Sequence, residues 1–127
     1  MVREIDLTRV LCRLADIGRD GLEFRIGRGA WPLRGLVVQV GSDVRAYVNR
    51  CPHLDYPLNY LPDRFLSPDG SMIQCHAHGA IFEKATGYCV AGPCAGRSLV
   101  ALPVIIESGF VLLEDAADPD ALAARYA

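Results

Sequence analysis

Four residues carry most of the chemistry open to this chain: Cys51 and His53, with one residue between them, and Cys75 and His78, with two. Each pair sets a thiolate beside an imidazole at a spacing that lets both side chains point into one small volume. Together the pairs supply four soft-to-borderline metal ligands. The residue types suit either a structural zinc site of two Cys and two His or an iron-sulfur centre. Zinc fingers usually pair Cys with Cys and His with His, whereas each segment here mixes them, which favours iron. The other cysteines, Cys12, Cys89 and Cys94, read as small buried hydrophobes, and His76 as a solvent-facing loop residue.

The elements that must position these residues are strands. Tyr47-Val48-Asn49-Arg50 leads into the first pair and Ser71-Met72-Ile73-Gln74 into the second, so the ligands ride on turns at two adjacent hairpin tips. Gly79 permits close backbone approach, and Pro93 after Gly92 stiffens a third, shielding loop. Before the first pair, Val10 to Ile17, Leu22 to Ile26, Leu36 to Val40 and Val44 to Val48 read as strands, the last two joined at Gly41-Ser42-Asp43. After Gly92 the strands are Ser98 to Leu102, Val104 to Glu107 and, past a Ser108-Gly109 turn, Phe110 to Leu113. Between them Pro52, Pro57, Pro62 and Pro68 break any long element, leaving only Ser71 to Gln74 and Ala80 to Phe82. Phe82 and Tyr88 read as core. Asp118 and Pro119 suit the N-cap and first position of a short C-terminal helix reaching Tyr126. The pattern predicts one all-β domain: a base from 1–49 and 96–115, with an inserted subdomain of about 50–95 that holds the chemistry.

Composition narrows the function. The chain has 127 residues and a formal charge of −2 with acids and bases interspersed, so it lacks the basic stripe that nucleic acid requires. No apolar run approaches the roughly 20 residues of a membrane helix. The charged, alternating start Met1-Val2-Arg3-Glu4-Ile5-Asp6 and an odd number of cysteines without a disulfide framework suggest a cytoplasmic protein. Gly27-Arg28-Gly29 leads to Trp31-Pro32 and not to a helix, so no nucleotide loop is expected.

Cys51-Pro52-His53-Leu54, then Cys75-His76-Ala77-His78-Gly79-Ala80-Ile81-Phe82, then Thr86-Gly87 and Gly92-Pro93, resemble the Rieske domain family over about residues 47–102. The resemblance implies a Rieske-type antiparallel β-sandwich with a two-loop cluster-binding subdomain and one 2Fe-2S cluster per chain. Cys51 and Cys75 would bind one iron, His53 and His78 the other. High-potential members carry a disulfide between the loops at positions that fall on Tyr56 and Ala77, and hydroxyl donors at Ala80 and Phe82. Their absence places the chain with the low-potential, ferredoxin-like branch, although the 59–70 stretch is longer than in typical dioxygenase ferredoxins.

The implied function is one-electron transfer between a reductase and an oxygenase. With His53 and His78 assigned, only His76 is left, so a second iron site of two histidines and a carboxylate cannot form, and no catalytic site of its own is expected. Leu54, Tyr56, Pro57 and Leu58 would form an apolar collar around the cluster tip, with Asp55, Glu83 and Lys84 at its rim. The alternatives are a small subunit of a multisubunit, nitrite-reductase-like enzyme and, from another class, a zinc-stabilised interaction module.

Overall fold

The computed structural model describes residues 6–27, 32–52, 57–59, 64–76, 79–114 and 117–126. The alternating run Leu22–Ile26 forms strand β2, antiparallel to β3 (Leu33–Val40), with Phe24 opposite Gly35. A side chain on Gly35 would stand 2.4 Å from the Phe24 ring, so glycine there lets the aromatic lie across the strand. β3 turns at Gly41-Ser42 into β4 (Asp43–Val48), and Gly41 takes the positive φ of 63° that a two-residue hairpin turn demands. β4 pairs in turn with the short β8 (Ala101–Leu102), completing a sheet in the order β2-β3-β4-β8.

A second sheet brings the two ends of the chain together in the order β1-β10-β9, from β1 (Val10–Arg13), β10 (Phe110–Leu113) and β9 (Val104–Glu107). Ser108 and Gly109, both at positive φ, make the β9–β10 turn. Phe24, Leu33, Val37, Val44, Ala46 and Val48 of the first sheet share one buried cluster with Val111 and Leu113 of the second, so the two sheets form a sandwich. The third sheet, β5-β6-β7, consists of β5 (Met72–Gln74), β6 (Ile81–Glu83) and β7 (Cys89–Ala91).

β3 and β4 are the common wall. Their alternate residues Leu36, Val38 and Tyr47 face a second buried cluster with Leu58, Phe65, Ile73, Phe82 and Leu99, while Val37, Ala46 and Val48 face the sandwich core. A strand buried on both faces has no polar side to alternate with, hence the unbroken Leu36-Val37-Val38 run.

Three expectations need correction. The strand expected over Val10–Ile17 stops at Arg13, and Leu14–Asp16 form a 3-10 turn, because Leu, Ala and Asp lack the β-branched preference for a pleated surface. The strand expected over Ser98–Leu102 shrinks to β8, since Leu99 gives its N–H to Gly87 and Ser98 bridges to Tyr88, both toward the third sheet. β7 was not anticipated. The terminal helix α1 (Pro119–Tyr126) forms as expected, with Asp118 Oδ1 accepting the Asp120 N–H at 3.0 Å, and Leu122 and Ala123 pack on the sandwich core. Among the described residues no helix is long and apolar enough to cross a membrane.

Candidate metal centre

The chain leaves β4 through Asn49, and Cys51 is delivered into the second core cluster with 1% of its surface exposed. Asn49 is the one buried polar residue among those described. Its Oδ1 accepts the Leu58 N–H at 2.8 Å and its Nδ2 donates to Asn59 Oδ1 at 2.8 Å. Asn59 Nδ2 donates onward to Glu23 Oε2 at 3.0 Å, and Arg34 Nε reaches Glu23 Oε1 at 2.7 Å. This chain of polar groups fastens the segment after Cys51 to β2 and β3. Partial burial alone would raise the Glu23 carboxyl, but the bonds from Arg34 and Asn59 outweigh it and hold the group below the ordinary carboxylate range.

Cys75, fully buried, opens the β5–β6 connection. Its N–H donates to the Ala80 carbonyl at 2.8 Å and its carbonyl accepts the Gly79 N–H at 2.8 Å, closing the connection into a compact loop. Gly79 sits at φ +76°, the left-handed conformation that glycine adopts without strain. The neighbouring His76 N–H donates to the Leu58 carbonyl at 2.9 Å. Leu58, with no exposed surface, therefore takes Asn49 on one side of its peptide and His76 on the other, and so joins the segments that follow and flank the two cysteines.

The 92–97 turn closes over both. A side chain on Gly92 would stand 2.7 Å from Ala80 Cα, so the approach to the Cys75 loop is backbone to backbone. Arg97 Nη1 donates to the Pro52 carbonyl at 3.1 Å, next to Cys51. Cys94, 2% exposed, donates its S–H to Cys89 Sγ at 3.3 Å and shares the buried cluster that holds Cys51. Burial first, and then the neighbouring sulfurs, push its thiol up to about 12. On the outer side the stretch from Arg64 anchors itself by burying Phe65 and Leu66, and Asp69 accepts bonds from Ser71 and Ser67 that hold its carboxyl down to about 2.

Thus the structure brings Cys51 and Cys75 into one apolar cluster with Ala80 and Phe82, and none of the five cysteines forms a disulfide. A thiolate buried this deeply requires positive charge beside it, and a metal centre supplies that charge, so the donor set fits iron. His53 and His78 lie outside the described residues, as do Leu54, Asp55, Tyr56 and Ala77. Cys89 and Cys94 are buried as expected, but Cys12 is only partly so, and burial with the nearby Asp16 charge raises its thiol to about 11. His76 is not simply solvent-facing: its Nε2 is buried and has no partner among the described residues. Glu83 ends β6 and Lys84 follows it, its carbonyl accepting the Tyr47 hydroxyl and its Nζ donating to the Gly70 carbonyl; the tip against which both were expected lies outside the described residues. Tyr88, expected in the core, is 44% exposed, because its neighbours Gly87 and Cys89 take the inward positions of the β7 hairpin. Leu58, expected in an apolar collar around the tip, has no exposed surface and belongs to the core, because its peptide is held on both sides by Asn49 and His76; the role of Asn49 was not anticipated. The available signal was an asparagine directly after the apolar run Ala46-Tyr47-Val48 and two residues before a ligand.

The Rieske [2Fe-2S] domain family matches residues 11–108. Among solved structures, the ferredoxin of Sphingomonas yanoikuyae B1 is 29% identical with a TM-score of 0.63, covering 84% of this chain and 96% of that one. A chain of the complex of reduced oxygenase and oxidized ferredoxin in carbazole 1,9a-dioxygenase is 28% identical with a TM-score of 0.61, covering 83% of this chain and 99% of that one. The ferredoxin of carbazole 1,9a-dioxygenase from Nocardioides aromaticivorans IC177, at 22% identity and a TM-score of 0.65, covers 82% of this chain and 93% of that one and supports the fold. No curated sequence matches the chain. The cofactor is a Rieske 2Fe-2S cluster and the function electron transfer. With the two cysteines of the motif buried in one cluster and a family match over most of its length, the chain belongs to the Rieske 2Fe-2S domain family.

Proposed function

We propose that Cys51 and Cys75 hold one iron of the cluster and His53 and His78 the other, and that the chain is a one-electron carrier between a reductase and an oxygenase. It has no catalytic site of its own and works in the cytoplasm. In this reading it is a single domain, with about 50–95 as the cluster-binding subdomain on a base from 1–49 and 96–115. The observation that carries it is the burial of the Cys51 and Cys75 thiols, unbridged, in one cluster whose flanking segments are joined through Leu58. The likeness to a ferredoxin and to a chain of an oxygenase–ferredoxin complex supports the choice of partners.

The cluster supplies a one-electron couple whose potential is raised by replacing two thiolates with neutral imidazoles, to between about −150 and +300 mV for the class. The protein's part is to hold the loops and to set their electrostatics. Ala80 and Phe82 line the site with carbon where a hydroxyl would stabilise added negative charge, which puts the potential toward the lower end.

Anaerobically purified protein should show iron without stoichiometric zinc, the visible absorption of a 2Fe-2S centre, and a reduced-state EPR signal with the average g of mixed Cys/His ligation. A colourless protein with one zinc per chain would refute the proposal. Co-purification in a large reductase complex would move the chain from carrier to subunit.

A further inference from the structure

A polar pocket opens beside the Cys75 loop. Its volume is about 430 Å³, within the roughly 300–1,000 Å³ of small-molecule sites. Arg19, Asp20, Arg64, Ser67, Gln74 and His76 supply its polar lining. Both arginines are exposed, and neither side chain makes an ion pair or hydrogen bond with a described residue. Two guanidiniums outnumber the single Asp20 carboxylate, so the wall is net positive. His76 Nε2 is buried there without a partner among the described residues, and a buried polar atom in that state is one that a bound ligand completes.

The frame under the pocket is backbone. The Phe65 N–H donates to the Asp20 carbonyl at 3.0 Å, the Gln74 N–H to the Phe65 carbonyl at 2.9 Å, and Leu66 bridges to Ile73. The segments that bear Arg19, Arg64 and Gln74 are thus laid side by side, with buried Phe65 anchoring the middle one. His76 is fixed in turn by its N–H bond to the Leu58 carbonyl at 2.9 Å. A frame that exists before a ligand arrives lowers the ordering cost of binding.

We propose that this pocket binds a small oxyanion, a molecule bearing a phosphate or carboxylate group. A guanidinium presents paired N–H donors at the spacing of two oxygens of either group. The Gln74 amide adds two further donors, and His76 in its Nε2–H tautomer adds another. The Ser67 hydroxyl is already committed, donating to Asp69 and accepting the Met72 N–H, so recognition falls to the two arginines, Gln74 and His76. Neither the site nor its test depends on which residues ligate iron.

The test is isothermal titration calorimetry of the oxidised, cluster-loaded protein with inorganic phosphate and with acetate, sodium chloride holding the ionic strength constant so that general screening cancels. At least one of the two anions should saturate a single site with a Kd on the order of 1 mM, the affinity that a few charge-assisted bonds open to water supply. Arg19→Ala and Arg64→Ala should each weaken binding about tenfold, and Arg64→Lys, which keeps the charge but loses the fork, by less. Arg13→Ala, on β1 in another sheet and outside the pocket lining, should leave the Kd unchanged. Because both pocket arginines are exposed, the variants should melt in chloride as the parent does. The anion that binds should raise the parent's melting temperature and leave that of the Arg19→Ala/Arg64→Ala double variant in place. Heats for both anions equal to those of added chloride would overturn the proposal, and so would an unchanged Kd in both alanine variants.

Discussion

Replacing Asn49 by alanine tests whether the two cysteine loops are held by one buried tie. The substitution removes the acceptor of the Leu58 N–H and the donor to Asn59, both at 2.8 Å. Leu58 has no exposed surface and Asn49 only 6%, so the Leu58 N–H is left buried without a partner, at a cost of about 1–3 kcal/mol. Taking about 2 kcal/mol, the population in which this segment is detached rises roughly thirtyfold. Because the Leu58 carbonyl also holds the His76 N–H beside Cys75, detachment loosens both loops together. The assay is the rate at which excess iron chelator bleaches the visible spectrum, which follows the open population when reclosing outpaces extraction. Asn49→Ala should bleach roughly thirtyfold faster. Asn49→Asp keeps an acceptor for Leu58 but loses the bond to Asn59, and should fall between. A change below threefold in Asn49→Ala would refute the idea that Leu58 couples the loops.

Other outcomes follow from the same structure. Gly92→Ala forces a side chain to 2.7 Å from Ala80 Cα at φ +95°, and should cost upward of about 2 kcal/mol in denaturant unfolding, against about 1 kcal/mol for Gly41→Ala, whose new methyl meets nothing within 4 Å. Phe65→Ala, at a site with no exposure, should cost about 3–5 kcal/mol and shed the outer loop from the second core. Glu23 has a depressed carboxyl, so its stabilisation is full above the ordinary Glu pKa and is lost as pH falls through the depressed one. Stability should therefore decline less steeply below about pH 4 in Glu23→Gln than in the parent, with about 1 kcal/mol lost at neutral pH. His53→Cys or His78→Cys should lower the potential wherever a cluster assembles, because a thiolate adds negative charge; an unchanged potential in both would contradict the ligand assignment.

What the sequence revealed was whatever is encoded locally. The ligand motifs, the Gly41-Ser42 and Ser108-Gly109 turns and the Asp118-Pro119 cap each depend on a few adjacent residues, and the structure forms those turns and that cap. Long-range choices were hidden. Nothing near Ser98 indicates that Leu99 will donate to Gly87 across the molecule and thereby break a strand. Nothing local to Lys84 says that its Nζ will bind the Gly70 carbonyl, 14 residues back along the chain. For the site, the cysteines were legible by type and spacing, whereas the tie between Asn49 and Leu58 was not, because it lies in bonds to segments nine or more residues away along the chain rather than in any motif.

That division has a physical reason. A site that must keep its shape when its charge changes by one electron gains from ligands held by backbone bonds, since backbone groups carry no net charge of their own to repel or attract the added electron. In this chain the bonds within and between loops run largely through peptides: Cys75 to Ala80 and Gly79 to Cys75 inside one loop, His76 to Leu58 between loops, and the Arg97 side chain to the Pro52 carbonyl. Peptide groups are the same for every residue type, so such ties leave almost no trace in the sequence. What remains visible are the positions where a peptide needs help: a glycine at 92 where two backbones touch, and an asparagine at 49 whose side chain accepts one buried N–H.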